Sequence, residues 1–234
     1  IFKYSYPDCI NFKYHRSREL NFDLFEDNKV GKEILLTNKN EIASKLFGRS
    51  SNNSLWNKVY KRSTILKADL SKTIGITMGE DRLTNALIFN YFEDFLCIDS
   101  DLYQYYENSF AYKHSNKILF YNDFDSLILL ENVIHNLNDE KVIAEIRTHE
   151  LDKILSNLKT KIFVDKIGFK DFKKYLLSIK NSKYYKIFLH FGYCRIVKTE
   201  KLYKTIFRNI KCGFYFLGYI LLKLLARRDN RLHN

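Results

Sequence analysis

Proline is nearly absent from this 234-residue chain, occurring only at Pro7, and glycine occurs eight times. None of the glycines gathers into a phosphate-cradling loop, which excludes a nucleotide site of that kind within the chain. The four cysteines, Cys9, Cys97, Cys194 and Cys212, show no CxxC spacing, and no HxxxH accompanies them, which argues against a zinc centre. They read as buried, reduced thiols of a cytosolic protein. No apolar run reaches the about 20 residues that a spanning helix needs. No internal repeat of fixed period is found.

What is present is apolar mass and positive charge. Hydrophobic residues make up 46%, enough to build a core rather than a disordered tail. A net charge of +12 implies an anionic partner: nucleic acid, anionic lipid or a phosphorylated substrate. Acids are interleaved with the bases and no recognised nucleic-acid signature occurs, so no nucleic-acid partner is expected.

The opening stretch "IFKYSYPDCINFKYHRSREL" alternates apolar and polar residues around Pro7, predicting a strand, a turn and a second strand. Asn38 to Ser50 reads as a short helix with Ile42, Leu46 and Phe47 on one face and Gly48 ending it. From Asp81 to Phe92, Leu83, Ala86, Leu87 and Tyr91 recur with helical spacing. Phe95 to Asp99 reads as a short buried strand before the Tyr-rich "DLYQYYENSFAY". Beyond residue 113 the stretches beginning at Asp123, Asp139, Lys170 and Tyr184 read as successive helices. The expected class is therefore α/β, a mixed sheet with helices over 1–112 followed by a mainly helical region over 113–234.

The stretch "ITMGEDRLTNALIF" places Glu80 and Asp81 at the head of an apolar-periodic run. Acids there suit a helix N-terminus, where Asp caps and carboxylates meet the helix dipole, so a purely structural role stands beside a catalytic one. Trp56, the only tryptophan, suits either a core position or an exposed platform.

The order of segments resembles the acceptor half of the inverting, GT-A-fold family 2 glycosyltransferases. The matching residues are Ser54, Trp56, Lys58, Tyr60, Lys61 and Arg62; then Gly79, Glu80 and Asp81; then Leu102, Tyr103, Tyr105 and Ser109. They fall within residues 1–112. The resemblance implies transfer of a sugar from a nucleotide-sugar donor to a glycan or lipid-linked hydroxyl, as in bacterial surface-polysaccharide synthesis. It makes Asp81 the general base and Glu80 an acid that orients the acceptor or holds the loop. Trp56, Lys58 and Gly79 become substrate-binding, with Lys58 directed at the diphosphate; Lys61 and Arg62 read as a solvated basic patch.

The family also uses a divalent cation, Mg or Mn, held by an Asp-x-Asp before the acid pair. Here Asp99 and Asp101 follow that pair, and Asp123 and Asp125 read as a helix cap, so no metal ligand is assigned. The metal motif and the nucleotide-binding half are expected upstream of Ile1, leaving this chain inactive alone. A departure lies after the tyrosines, where Glu107 stands in place of the family's Arg or His. The alternative to an enzyme is a basic, non-catalytic nucleic-acid-binding or membrane-surface protein.

At the far end, Cys212 to Leu222 is continuously apolar and flanked by Lys204, Arg208, Lys211, Arg227, Arg228 and Arg231. The basic amphipathic end over 206–231 reads either as a helix lying on an anionic membrane surface or as one packed on its own domain. The expected location is cytoplasmic, peripheral on the inner face of the cell membrane.

Overall fold

The computed structural model describes residues 6–17, 31–48, 53–74, 80–106, 130–131, 133–163, 166–180 and 201–232. The chain is mixed α/β and divides into two compact units, Ile1–Val142 and Ile143–Asn234. The expected boundary near residue 113, and the predicted stretch from Tyr184, lie outside the described residues.

The first unit is built on a four-stranded sheet in the order β2-β4-β1-β3, with β1 Cys9–Ser17, β2 Glu33–Leu36, β3 Lys58–Tyr60 and β4 Phe95–Tyr106. The two central strands, β1 and β4, run parallel, and each edge strand pairs antiparallel with its neighbour. Pro7 sits just ahead of β1, where its missing N–H removes nothing from the ladder. β1 is the strand that follows Pro7; residues 1–5, where the strand before it is expected, lie outside the described residues.

β4 differs from expectation. It does not stop at Asp99 but runs on through the tyrosines to Tyr106, twelve residues in all. Pairing with β1 carries it on: Tyr14 faces Tyr103 and Arg16 faces Tyr105, after register shifts on either side of Lys13. Beside that irregularity Gly31 approaches so closely that a Cβ would lie 1.7 Å from the Asp99 carbonyl oxygen, so only glycine fits there. The Gly31 N–H donates to Ser100 Oγ at 2.6 Å.

α1 Lys39–Phe47 begins at Asn38, whose side chain accepts the N–H of Asn40 at 2.8 Å. Ile42, Ala43, Leu46 and Phe47 are buried, the face expected from spacing. α2 Arg62–Ile65 follows β3. α3 Glu80–Phe89 buries Leu83, Ala86, Ile88 and Phe89, whereas Tyr91 lies beyond its end and is exposed. The rings of Phe47 and Phe89 meet edge to face at 5.8 Å where α1 and α3 touch. Lys39 donates to the carbonyls of Phe89, Asn90 and Phe92, placing its ammonium at the negative end of α3.

The second unit's described residues are helical: most of α4 Glu140–Phe163, then α5 Phe169–Lys180, α6 Lys201–Lys211 and α7 Tyr215–Leu232. The apolar end is not one continuous helix. Gly213, at φ 83°, reverses the chain, with Phe214 N–H bonded to Asn209 O at 2.8 Å and Gly213 N–H to Ile210 O at 3.1 Å. α7 then packs back on α6 and α5, burying Tyr219, Leu222, Leu225 and Ala226. Gly218 allows that approach, since a Cβ would sit 2.9 Å from Ile210 Cγ1. Much of the expected membrane face is thus spent inside the unit. No helix among the described residues is long and apolar enough to cross a membrane. Cys9 is buried as expected and Cys97 partly so, but Cys212 is exposed in the turn; Cys194 lies outside the described residues.

Candidate functional site

The site begins with the short loop Asn53–Asn57, which the sheet holds from one side. Asn57 is fully buried, and its Nδ2 donates to Phe12 O at 2.9 Å and Asn11 Oδ1 at 3.2 Å. Its carbonyl accepts the Phe12 N–H at 3.1 Å, so the loop continues the pairing of β3 with β1. A polar residue this deep is stable because both ends of its amide are used.

Lys58 turns inward beneath the same loop. Its Nζ donates to Ser54 O at 2.6 Å and to Asn57 Oδ1 at 2.9 Å, and the residue is only 7% exposed. Burial lowers its pKa to about 8, against the pull of Cys9, Asp81 and Cys97 toward the charged form. The lysine braces the loop from below.

From the other side the loop is held by α3. Burial raises the Asp81 pKa, outweighing the backbone N–H of Leu55 and the charge of Lys58, which both favour the carboxylate. One turn on, Asn85 donates to Asp81 O at 2.9 Å and to Asn53 O at 2.7 Å, and accepts the Tyr60 hydroxyl at 2.7 Å. Glu80 opens the helix, half-buried, with its pKa raised by the same loss of solvent and by Asp81 beside it. Gly79 and Ser109 lie outside the described residues.

Trp56 projects from the loop onto the tyrosines of the central strands. Its ring stacks on Tyr103 at 4.8 Å and on Tyr105 at 4.9 Å, and meets Tyr14 edge-on at 4.5 Å. The tryptophan is half-buried and Tyr103 is exposed, so this is an aromatic surface rather than a sealed core. Next to it, a cleft of about 380 Å³ has Tyr14 and Asn57 in its wall together with Lys13, Lys32 and Lys45.

The structure thus brings Trp56, Lys58, Glu80 and Asp81 into one neighbourhood with Tyr103 and Tyr105. Asn57, Asn85 and Tyr14 were not singled out from sequence. Asn85 had a signal, since it stands one helical turn from Asp81 on the same face. Tyr14 had none, because strand pairing alone delivers it. Lys61 and Arg62 are exposed, with Lys61 Nζ 3.5 Å from Asp8 Oδ1.

Asp99 is engaged by Lys13 in an ion pair. Among the described residues no three His, Cys, Asp or Glu side chains converge as metal ligands. No protein-family model, curated protein or solved structure matches this chain.

The arrangement can accept a proton. A carboxylate whose pKa is raised by burial, fixed at a helix start beside a flat aromatic surface, suits abstraction of a proton from a bound hydroxyl.

Proposed function

We propose that this chain is the acceptor-side part of an inverting glycosyltransferase that uses a nucleotide-sugar donor and a glycan or lipid-linked acceptor. One observation carries the reading. The three segments that resemble the family, separated in sequence, meet through the bonds of Asn85 to Asn53 O and the Tyr60 hydroxyl and the stack of Trp56 on Tyr103 and Tyr105. The GT-A-like assignment draws its support from α3 leading into β4, which lies parallel to and beside β1.

In this reading the aromatic surface holds a sugar ring by its apolar face. The Asp81 carboxylate takes the proton of the acceptor hydroxyl as its oxygen attacks the donor's anomeric carbon. The bond from that carbon to the nucleoside diphosphate breaks, the electron pair leaves on the diphosphate oxygen, and the configuration inverts. Lys58 acts on the loop through Ser54 and Asn57.

Because Trp56 is the only tryptophan, its emission reports on the site without labelling. Titration with a panel of oligosaccharides and lipid-linked saccharides is expected to shift or quench that emission, and Tyr105→Ala to weaken the response. A panel that leaves the emission unchanged, together with full sugar transfer by Asp81→Asn in the complete enzyme, would sink the proposal.

A further inference from the structure

The second unit carries an apolar corner that its own core leaves uncovered. Phe214, Phe216 and Leu217 are 63%, 60% and 48% exposed, although Tyr219 and Leu222, further along the same helix, are buried. The corner is held in place, not loose. The Gly213 turn fixes the chain at Phe214, and Phe216 meets Phe169 edge to face at 5.2 Å. Three projecting apolar side chains at a fixed turn are costly in water unless something covers them.

Charge indicates what covers them. Between Lys201 and Arg228 the chain has seven lysines and arginines and no acid. Arg208 and Lys211 stand in the last turn of α6, immediately before the corner. Among these residues the apolar tip has cations for neighbours in sequence and no carboxylate to repel an anionic surface. A corner between two helices offers projecting side chains rather than a groove, which suits a bilayer better than a peptide.

We infer that this corner docks on an anionic lipid bilayer, with Phe214, Phe216 and Leu217 entering the boundary between headgroups and acyl chains and Arg208 and Lys211 meeting lipid phosphates. The contact is made at the turn, where Phe214, Phe216 and Leu217 project together. This inference is independent of the proposed catalytic role.

The test is flotation of the full chain with vesicles of phosphatidylcholine alone or mixed with phosphatidylglycerol. The chain is expected to float with the anionic vesicles and not with the neutral ones. Replacing Phe214, Phe216 and Leu217 by serine together should reduce the bound fraction roughly tenfold or more, since the buried apolar area is lost. Arg208→Glu with Lys211→Glu should do the same. A second readout avoids any folding defect: an environment-sensitive dye on exposed Cys212, with Cys97 and Cys194 changed to serine, should shift to the blue on anionic vesicles. No flotation with anionic vesicles, equal flotation with neutral ones, undiminished flotation of the triple-serine chain, or a dye that does not respond would each overturn the inference. Salt-sensitive binding to duplex RNA without vesicle binding would overturn it as well.

Discussion

Asn85, one helical turn after Asp81, donates from its Nδ2 to the Asn53 carbonyl at 2.7 Å. The start of α3 and the aromatic loop are therefore one mechanical unit, and a change in either is felt by the other. Asp81 presents its charge one turn before the residue that anchors the loop.

Asp81→Asn removes the charge and leaves the Asn85 anchor in place. In the complete enzyme, with its donor-binding half, we predict at least about a 100-fold loss of sugar transfer, the scale of a general base. Stability at neutral pH should hold or rise, since burial raises this pKa and so disfavours the charged form. Transfer by the unaltered complete enzyme should fall as pH drops through that raised pKa. Thermal unfolding and a pH–rate profile check both parts, and a variant that unfolds would contradict the intact anchor.

Lys58 yields a prediction with a defined pH window. Its pKa is about 8 in the folded protein against an ordinary 10.5, so between those values the unfolded chain binds more protons. Its contribution to stability must therefore rise with pH across that window, by something on the order of 3 kcal/mol for a fully buried group. Urea midpoints at pH 7 and pH 10 should differ less for Lys58→Met, which lacks the titration, than for the native chain. The difference between the two proteins isolates Lys58 from other titrating groups. A constant difference would refute the assignment.

Asp8 behaves in the opposite sense. Burial pushes its pKa up, but the Glu93 N–H at 2.8 Å, the Thr64 hydroxyl at 2.8 Å and Lys61 together hold it below the usual value. Its contribution is present above pH 3.8 and is lost as pH falls through the lower folded value. Asp8→Ala leaves two donors without their acceptor and should destabilise by about 2–4 kcal/mol. It should also flatten the acid limb of the stability curve, which unfolding measured from pH 6 down to pH 2 would reveal.

Lys39 caps α3 from a neighbouring helix. Removing its ammonium in Lys39→Met leaves the carbonyls of Phe89, Asn90 and Phe92 without that donor. The expected loss is about 1–2 kcal/mol, combining the hydrogen bonds with the helix dipole. Lys39→Arg should recover part of it, and denaturant midpoints would show whether it does.

Much of α1 and α3 was legible without a structure. Asn38, Gly48 and the apolar spacing of Ile42, Leu46 and Phe47 are local signals, acting within a turn or two of the helix they shape. The acid pair was equally local. The tyrosines after Asp99 were harder, because nothing near them requires a strand; β4 extends only because β1 lies alongside. The apolar run from Cys212 hid a turn, since Gly213 has the needed freedom but hydrophobicity shows no break.

By itself, then, the sequence determined where α1 and α3 begin, which of their faces is apolar, and that Asp81 stands at a helix head. Those outcomes depend on neighbours a few residues away. Tertiary structure alone decided that Lys58 is buried, that Trp56 stacks on Tyr103 and Tyr105, and that Asn85 bonds to Asn53. Each depends on strands and loops distant in the chain meeting in one register, and no local pattern encodes that register.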